Sequence, residues 1–552
     1  MNTKSNILRK SILNIIVIML ITANAFGSKD SINATEFIKR GITGKGVKVA
    51  IIDYDFAGYS AYQENGSLPK NLIAMNFTVD PAAPIAPSYA GVGHGTSCAA
   101  IVYSIAPDCD MFLIDVGVAD NAGRYERVRN YCTQEGIHIV SISLRDDIAF
   151  PDGMVDYCQE IDSYSDSNIL AITITGNDAD GRWFGELEAT GGANTYFNFP
   201  NGTQQLDLRI VGTAPVNWRL HVCRSNKVTM PPGLLPHLYN FDLEVINVGD
   251  GVNQIIPDCS DDADPRGDFM PGFSTTPGDL IRIKVISRGG YNVRDKMGFV
   301  VCLGGLTLSN PAEANKTSSL TGPGHSRKSL TAGAIPEGDY NKNDLIGSFS
   351  GCGPCRAATD ALGQVVEPEC IKPEIVAPGN ATSYAAPHVA GAAVLIAQIR
   401  PELLQNAQQF KDYIIDMHTI KVHTAPDNNY GYGKLYLNAS ILPPVPPTPT
   451  PPLSEQQDIL VYPNPVSLSA SNYLKIADIS LEATKLDARI YNISGELIKS
   501  FSILELADDI NKKMLRWDLR NDNGDKIAPG VYFITIKTDS TKIQIKKIAV
   551  KK

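Results

Sequence analysis

The sequence has no cluster of cations: across its 552 residues, 49 Lys and Arg stand against 59 Asp and Glu, a formal net charge of −10. Nucleic acids and anionic membranes are held by grouped Lys and Arg that neutralise phosphates, so neither is a main partner. The 8 histidines show no metal-ligand spacing. No apolar run reaches the roughly 20 residues that a membrane helix needs, which argues against a stable span once a leader is removed. The one acidic run, Asp258-Cys-Ser-Asp-Asp-Ala-Asp264, lacks the ligand order and the glycine of an EF-hand. It reads first as a solvated loop and second as a calcium site, and no cofactor is required elsewhere.

What is present is an ordinary globular composition, 43% apolar and 20% charged. The chain is too long for one core and implies two to four domains. Residues 1–25 read as a signal peptide: Lys4, Arg9 and Lys10 precede the apolar run from Ile12 to Ile21, and Ala23-Asn-Ala25 offers a small-residue cleavage site. Ten cysteines in an exported chain are consistent with disulfide bonds, whose connectivity sequence does not give. Cys352-Gly-Pro-Cys355 has redox-motif spacing, but no βαβ unit brackets it in the thioredoxin manner.

Along 26–442, strands and helices alternate. A helix is expected over Asn33 to Arg40, then a buried strand Val47 to Ile52, and helices over Ser97 to Ser104, Arg124 to Gln134 and Met154 to Asp162. Strands are expected over Met111 to Val116, Ile137 to Leu144 and Ile169 to Thr175. The pattern predicts an α/β fold with a mostly parallel sheet, right-handed crossovers and helices on both faces. Residues 180–315 instead alternate with period two, as in Leu206-Asp-Leu-Arg-Ile210 and Ile281-Arg-Ile-Lys-Val285, and read as an inserted all-β module of sandwich type. Residues 443–452 form a proline-rich linker. Residues 453–552 alternate again and predict a C-terminal β-sandwich.

The segment Ala381-Thr-Ser-Tyr-Ala-Ala-Pro-His-Val-Ala-Gly391 runs into Ala-Ala-Val-Leu-Ile-Ala397, with no polar residue from Val389 onward. A helix apolar all round must be buried. Ser383 sits where that helix opens, as a cap for free amides or as a nucleophile facing the positive end of the helix dipole.

Acyl transfer at serine needs a base, an acid to orient it and donors for the developing oxyanion. Candidates occur at strand ends and helix starts: Asp53 after the first sheet strand, His94 in Gly93-His-Gly-Thr96, Asn177 in Thr175-Gly-Asn177, and Ser383. Their order, with Gly41-Ile-Thr-Gly-Lys-Gly-Val-Lys-Val-Ala-Ile-Ile-Asp53, Ser141-Ile-Ser-Leu144, Lys372-Pro-Glu-Ile-Val-Ala-Pro-Gly379 and the Ser383 segment, resembles the subtilisin-like serine proteases over roughly 31–178 and 320–440. The resemblance implies a three-layer subtilisin-like fold and a triad of Asp53, His94 and Ser383. It also implies Asn177 as oxyanion donor, and Ser143, Leu144 and Gly176 lining the peptide cleft. The chain departs from the family pattern at Tyr54-Asp55, at Arg145, at Ala381, and in the short connection from Gly379 to Thr382.

Residues 453–552 resemble sorting domains of type IX secretion cargo through Val461-Tyr-Pro-Asn-Pro465, Gly530-Val-Tyr-Phe533 and Lys546-Lys-Ile-Ala-Val-Lys551. A substrate-binding sandwich is the other reading. The expected protein is an exported serine endopeptidase that reaches the surface or medium through the periplasm, with polypeptide substrates and the secretion machinery as partners. The alternative is a surface protein that keeps the protease fold but binds peptides or matrix without cleaving.

Overall fold

The computed structural model describes residues 29–117, 123–145, 151–177, separate strands and turns between 179 and 308, 317–359, 364–423, 425–442 and most of 459–552. The signal segment, the acidic run 258–264 and the linker 443–452 lie outside the described residues. The chain divides into two compact units, Met1–Leu442 and Pro443–Lys552.

The first unit is built on a ten-stranded sheet. Its strands are β1 (Lys48–Asp53), β2 (Ile73–Asn76), β3 (Ala83–Pro84), β4 (Asp110–Asp115), β5 (Ile139–Ile142), β6 (Leu170–Ile174), β7 (Leu330–Ile335), β8 (Ile375–Pro378), β9 (Thr419–Ile420) and β10 (Lys434–Leu435). They lie in the order β9-β10-β8-β7-β6-β5-β1-β4-β2-β3. Every neighbouring pair is parallel except the two edge pairs β2–β3 and β9–β10.

The pleat of β1 explains the layers. Val49 and Ile51 belong to one core with the helices α3 (His94–Ile105) and α6 (Thr382–Ile399). Ala50 and Ile52 belong to another, with α4 (Arg124–Glu135) and α5 (Asp156–Asp166). Successive strand residues point to opposite faces, so a strand covered on both sides must be apolar throughout, and all four are 0% exposed. Shorter helices α1 (Ala34–Ile38) and α2 (Tyr59–Glu64), and α7 (Ala407–His418) after the core helix, complete the layers.

The start of α5 differs from expectation. The Met154 amide donates to Asp152 Oδ1 (2.9 Å), which holds a turn there, so α5 starts at Asp156. Asn406 caps α7 by accepting from the Gln409 amide, a start signal the apolar periodicity did not reveal.

The β1 strand sits between β5 and β4, where the order of connection reverses. Crevices in open α/β sheets form at such a switch point, beyond the carboxyl ends of the strands. Asp53 is the last residue of β1.

The described part of the insertion holds two antiparallel sheets. One runs Asp268–Phe269, Arg219–Arg224, Met297–Cys302, Arg182–Leu187. The other contains Phe241–Asn247, Leu280–Ser287 and Leu206–Ile210, with Val245, Ile281, Ile283, Val285, Leu206 and Leu208 buried at alternate positions. The last unit also has two sheets, which share one core. Ile476, Leu515 and Trp517 come from one, and Ile490, Ile534 and Ile548 from the other.

Candidate active site

Asp53, His94, Ser143, Asn177 and Ser383 follow or open elements of the same sheet and its inner helices. Asp53 is wholly buried, and its Oδ1 accepts from the Tyr54 amide at 2.8 Å. His94 is the first residue of α3, and its Nδ1 lies 2.9 Å from both carboxylate oxygens of Asp53. That bond sets Nδ1 as the protonated nitrogen when the ring is neutral and leaves Nε2 as the basic one. Gly95 lets the helix come this close, because a Cβ there would lie 2.8 Å from Asp53 Cβ and 2.6 Å from the Phe56 ring.

Burial alone would lower the His94 pKa. The hydrogen bond to Asp53 and the charges of Asp53 and Asp55 outweigh it, so the pKa is raised above its usual 6.5. Two phenol rings also lie near the imidazole. Tyr54 stacks on it with centroids 5.6 Å apart and 11° between planes, and Tyr384 lies 6.4 Å away at 27°. Tyr54 was visible in the sequence only as a bulky departure from the family pattern.

The Ser383 end of α6 owes its geometry to a proline one turn further on. Pro387 has no amide hydrogen, so the carbonyl of Ser383 has no helical donor. Ser143 Oγ donates to it at 2.9 Å and Cys98 Sγ at 3.3 Å. Desolvation keeps the Cys98 thiol protonated, with a pKa well above normal. The serine backbone is thereby tied to β5 and α3, the elements that lead to Ser143 and carry His94. Ser383 Oγ itself donates to the Ser143 carbonyl at 3.4 Å, a long bond, and no hydrogen bond joins it to His94.

The connection before Ser383 is short because β8 ends at Pro378 and α6 begins at Thr382. Ala381 caps the helix with φ −154° and ψ 153°, an extended conformation open to any residue, so no glycine is needed there. Asn177 Oδ1 accepts from both the amide (2.7 Å) and the hydroxyl (2.9 Å) of Thr382.

The three cleft candidates have their groups committed differently. Ser143 is 3% exposed and directs its hydroxyl to Ser383. The Leu144 side chain is buried in the core of the α4–α5 face. Gly176 adopts φ +91° against Thr321, where a Cβ would meet Oγ1 at 2.4 Å, and its carbonyl accepts from the Gly351 amide.

Among the described residues, Asp53, His94 and Cys98 are the only group of three whose donor atoms lie within 4.8 Å of one another. Each already has a hydrogen-bonding role in the site.

Comparison with known proteins agrees with this architecture. A family model described as the subtilase family matches residues 278–433, which include the Ser383 segment. A second, the secretion system C-terminal sorting domain, matches 460–551. No curated protein matches. The CspB protease of Clostridium perfringens superposes with a TM-score of 0.51 at 18% identity, covering 74% of this chain and 96% of that one, which shows a shared fold. MycP1 of Mycobacterium smegmatis (TM-score 0.31, 16% identity) covers 74% of this chain and 82% of its own. PorZ of Porphyromonas gingivalis, a surface component of the type IX secretion system, matches over 17% of this chain and 11% of its own, with 23% identity and a TM-score of 0.14.

The fold and the matched segment together define a serine protease class. The chain carries a segment of the subtilase family at 278–433 and a secretion system sorting domain at 460–551, and the latter directs it to the cell surface or the extracellular space.

Proposed function

We propose that the chain is an endopeptidase that cleaves proteins through an acyl-enzyme on Ser383, with His94 as base, Asp53 as its orienting acid and Asn177 as an oxyanion donor. The observation that carries the reading is the pair of 2.9 Å contacts between His94 Nδ1 and Asp53, beside the turn that bears Ser383. Nε2 of His94 takes the Ser383 proton as Oγ bonds to the substrate carbonyl carbon. The carbonyl oxygen gains the negative charge. With Asn177 Oδ1 occupied by Thr382, its amide nitrogen is the group that donates to this oxygen, aided by amides at the start of α6. The imidazolium then protonates the departing amine, and a water repeats the sequence to release the acid. Rotation of Ser383 about χ1 takes Oγ from the Ser143 carbonyl toward His94, in keeping with catalytic bonds that tighten only when substrate binds. No cofactor enters these steps; calcium, if bound, is a structural ligand of the acidic run 258–264.

A second reading is favoured by one observation, the absence of a Ser383–His94 hydrogen bond: a protein that binds polypeptides without cleaving them. Turnover of an unfolded protein substrate by the wild type and by Ser383→Ala separates the two. Cleavage lost by several orders of magnitude in the variant supports the enzyme, and equal cleavage, or none in either, overturns it.

A further inference from the structure

We infer that Cys355 and Cys370 form a disulfide bond in the exported protein, closing the hairpin between them. The two residues face each other in an isolated antiparallel bridge, each amide donating to the other's carbonyl at 3.0 Å. A directly opposed, hydrogen-bonded pair of this kind holds its Cα atoms about 5.5 Å apart, within the span of a disulfide, and turns both side chains to one face. The Cys355 sulfur donates to the His325 carbonyl at 3.4 Å, and the two thiols are close enough to shift each other's pKa, Cys355 upward and Cys370 downward.

The base of the hairpin is held in this register from outside. Arg327 donates to the carbonyls of Arg356 and Pro368, one on each strand, and Arg356 pairs with Glu369 across them at 3.2 Å. Beyond the base, Ala358–Thr359 pairs with Val365–Glu367, and Val365 and Val366 stand 61% and 51% exposed. The two backbones are therefore in register before any bond forms, while residues 364–369 on the return strand stand exposed to water.

The order of reaction follows from exposure. Cys355 is wholly buried, whereas Cys370 is partly exposed. The neighbouring Cys355 thiol, whose effect outweighs burial, and the charge of Lys372 lower the Cys370 pKa below that of an ordinary thiol, making it the better nucleophile at neutral pH. Its thiolate attacks the disulfide of a dithiol oxidoreductase in the oxidising compartment crossed during export, and one oxidant sulfur leaves as thiolate. Cys355 loses its proton, attacks the Cys370 sulfur of the mixed disulfide and expels the second. Two electrons and two protons pass to the oxidant, which ends as a dithiol. By contrast, burial pushes the thiols of Cys109 and Cys132 up to about 12 and keeps them unreactive. The assignment also departs from sequence spacing, which points to Cys352 as the partner of Cys355; the Cys352 sulfur instead lies 3.5 Å from Ser319 Oγ.

The inference depends on export and not on the catalytic reading, so a chain inert as a protease can still satisfy it. The test takes the full chain from the culture medium or cell surface, blocks thiols with iodoacetamide without reduction, digests it and maps the peptides by mass. The expected result is a peptide joining Cys355 to Cys370, about 2 Da lighter than the two thiol peptides together, which takes iodoacetamide at both residues only after reduction. A Cys352–Cys355 link, or alkylation of both Cys355 and Cys370 before reduction, overturns it. Limited proteolysis adds a second readout: Cys370→Ser is expected to be nicked within 356–369 several-fold faster than wild type, and Cys352→Ser at the wild-type rate. Equal nicking of wild type and Cys370→Ser also counts against the bond. The mass map uses the wild-type chain, so it stands even where a variant fails to fold.

Discussion

His94 Nδ1 sits 2.9 Å from both oxygens of Asp53, a carboxylate with no solvent exposure. Two opposing consequences follow for pH. The raised His94 pKa means that the neutral base is lost as pH falls through a value above 6.5, so kcat/KM is expected to decline on the acid side at a higher pH than for an ordinary histidine. For stability the sign is reversed. A raised folded-state pKa favours the charged form, so this contribution is complete below the unfolded value and is lost as pH rises through the folded one. Asp55→Asn keeps an oxygen acceptor for the Ala57 amide but removes one charge that raises the histidine. Its acid limb is expected at lower pH than wild type in a pH–rate profile, and an unmoved limb contradicts the electrostatic account.

Asn177→Asp retains the oxygen that Thr382 uses and deletes the amide donor. Its kcat is expected to fall about 10²- to 10³-fold, with KM little changed, in steady-state kinetics on a peptide amide. A loss confined to KM would assign Asn177 to ground-state binding instead.

Ser143 was expected to line the cleft, yet its hydroxyl supports the carbonyl that Pro387 leaves without a helical donor. Ser143→Ala is therefore expected to lower kcat by roughly tenfold through misplacement of Ser383 and to leave KM near wild type. A rise in KM at constant kcat would return Ser143 to a substrate-contact role.

Deep in the first unit, Glu374 Oε1 accepts from Lys372 at 2.7 Å and Lys411 at 2.5 Å, all three side chains being at most 7% exposed. Desolvation would raise the Glu374 pKa, but the two ammonium groups hold it below normal. The stabilisation is present above the unfolded carboxylate pKa and is lost as pH falls through the lower folded value. Glu374→Gln strands two buried cations and is expected to cost about 3–5 kcal/mol, read by denaturant unfolding of the active-site-blocked chain. A change below about 1 kcal/mol would show that the cluster carries little of the stability.

Much of the architecture was readable from residue pattern because both faces of the central strands are covered: Val49 to Ile52 admit no polar residue, and α6 from Ala385 to Ala397 is buried on all sides. Asp53, His94, Asn177 and Ser383 stood out as a candidate set because serine acyl transfer needs those residue types together, and each falls at a strand end or a helix start. The rest depended on contacts between distant segments. Nothing local to Tyr54 says that its ring will lie on His94, and nothing near Ser143 says that its hydroxyl will meet a carbonyl 240 residues away. The Cys355–Cys370 bridge was hidden for the opposite reason, since the nearer Cys352 offers a familiar spacing that the strand register does not use.

The most direct test of the central claim is covalent labelling of the full chain by a fluorophosphonate, with the modified residue located by mass. The account predicts stoichiometric modification at Ser383, abolished in Ser383→Ala and strongly slowed in His94→Ala. An unlabelled wild type, or a label that persists at another residue in Ser383→Ala, would contradict it.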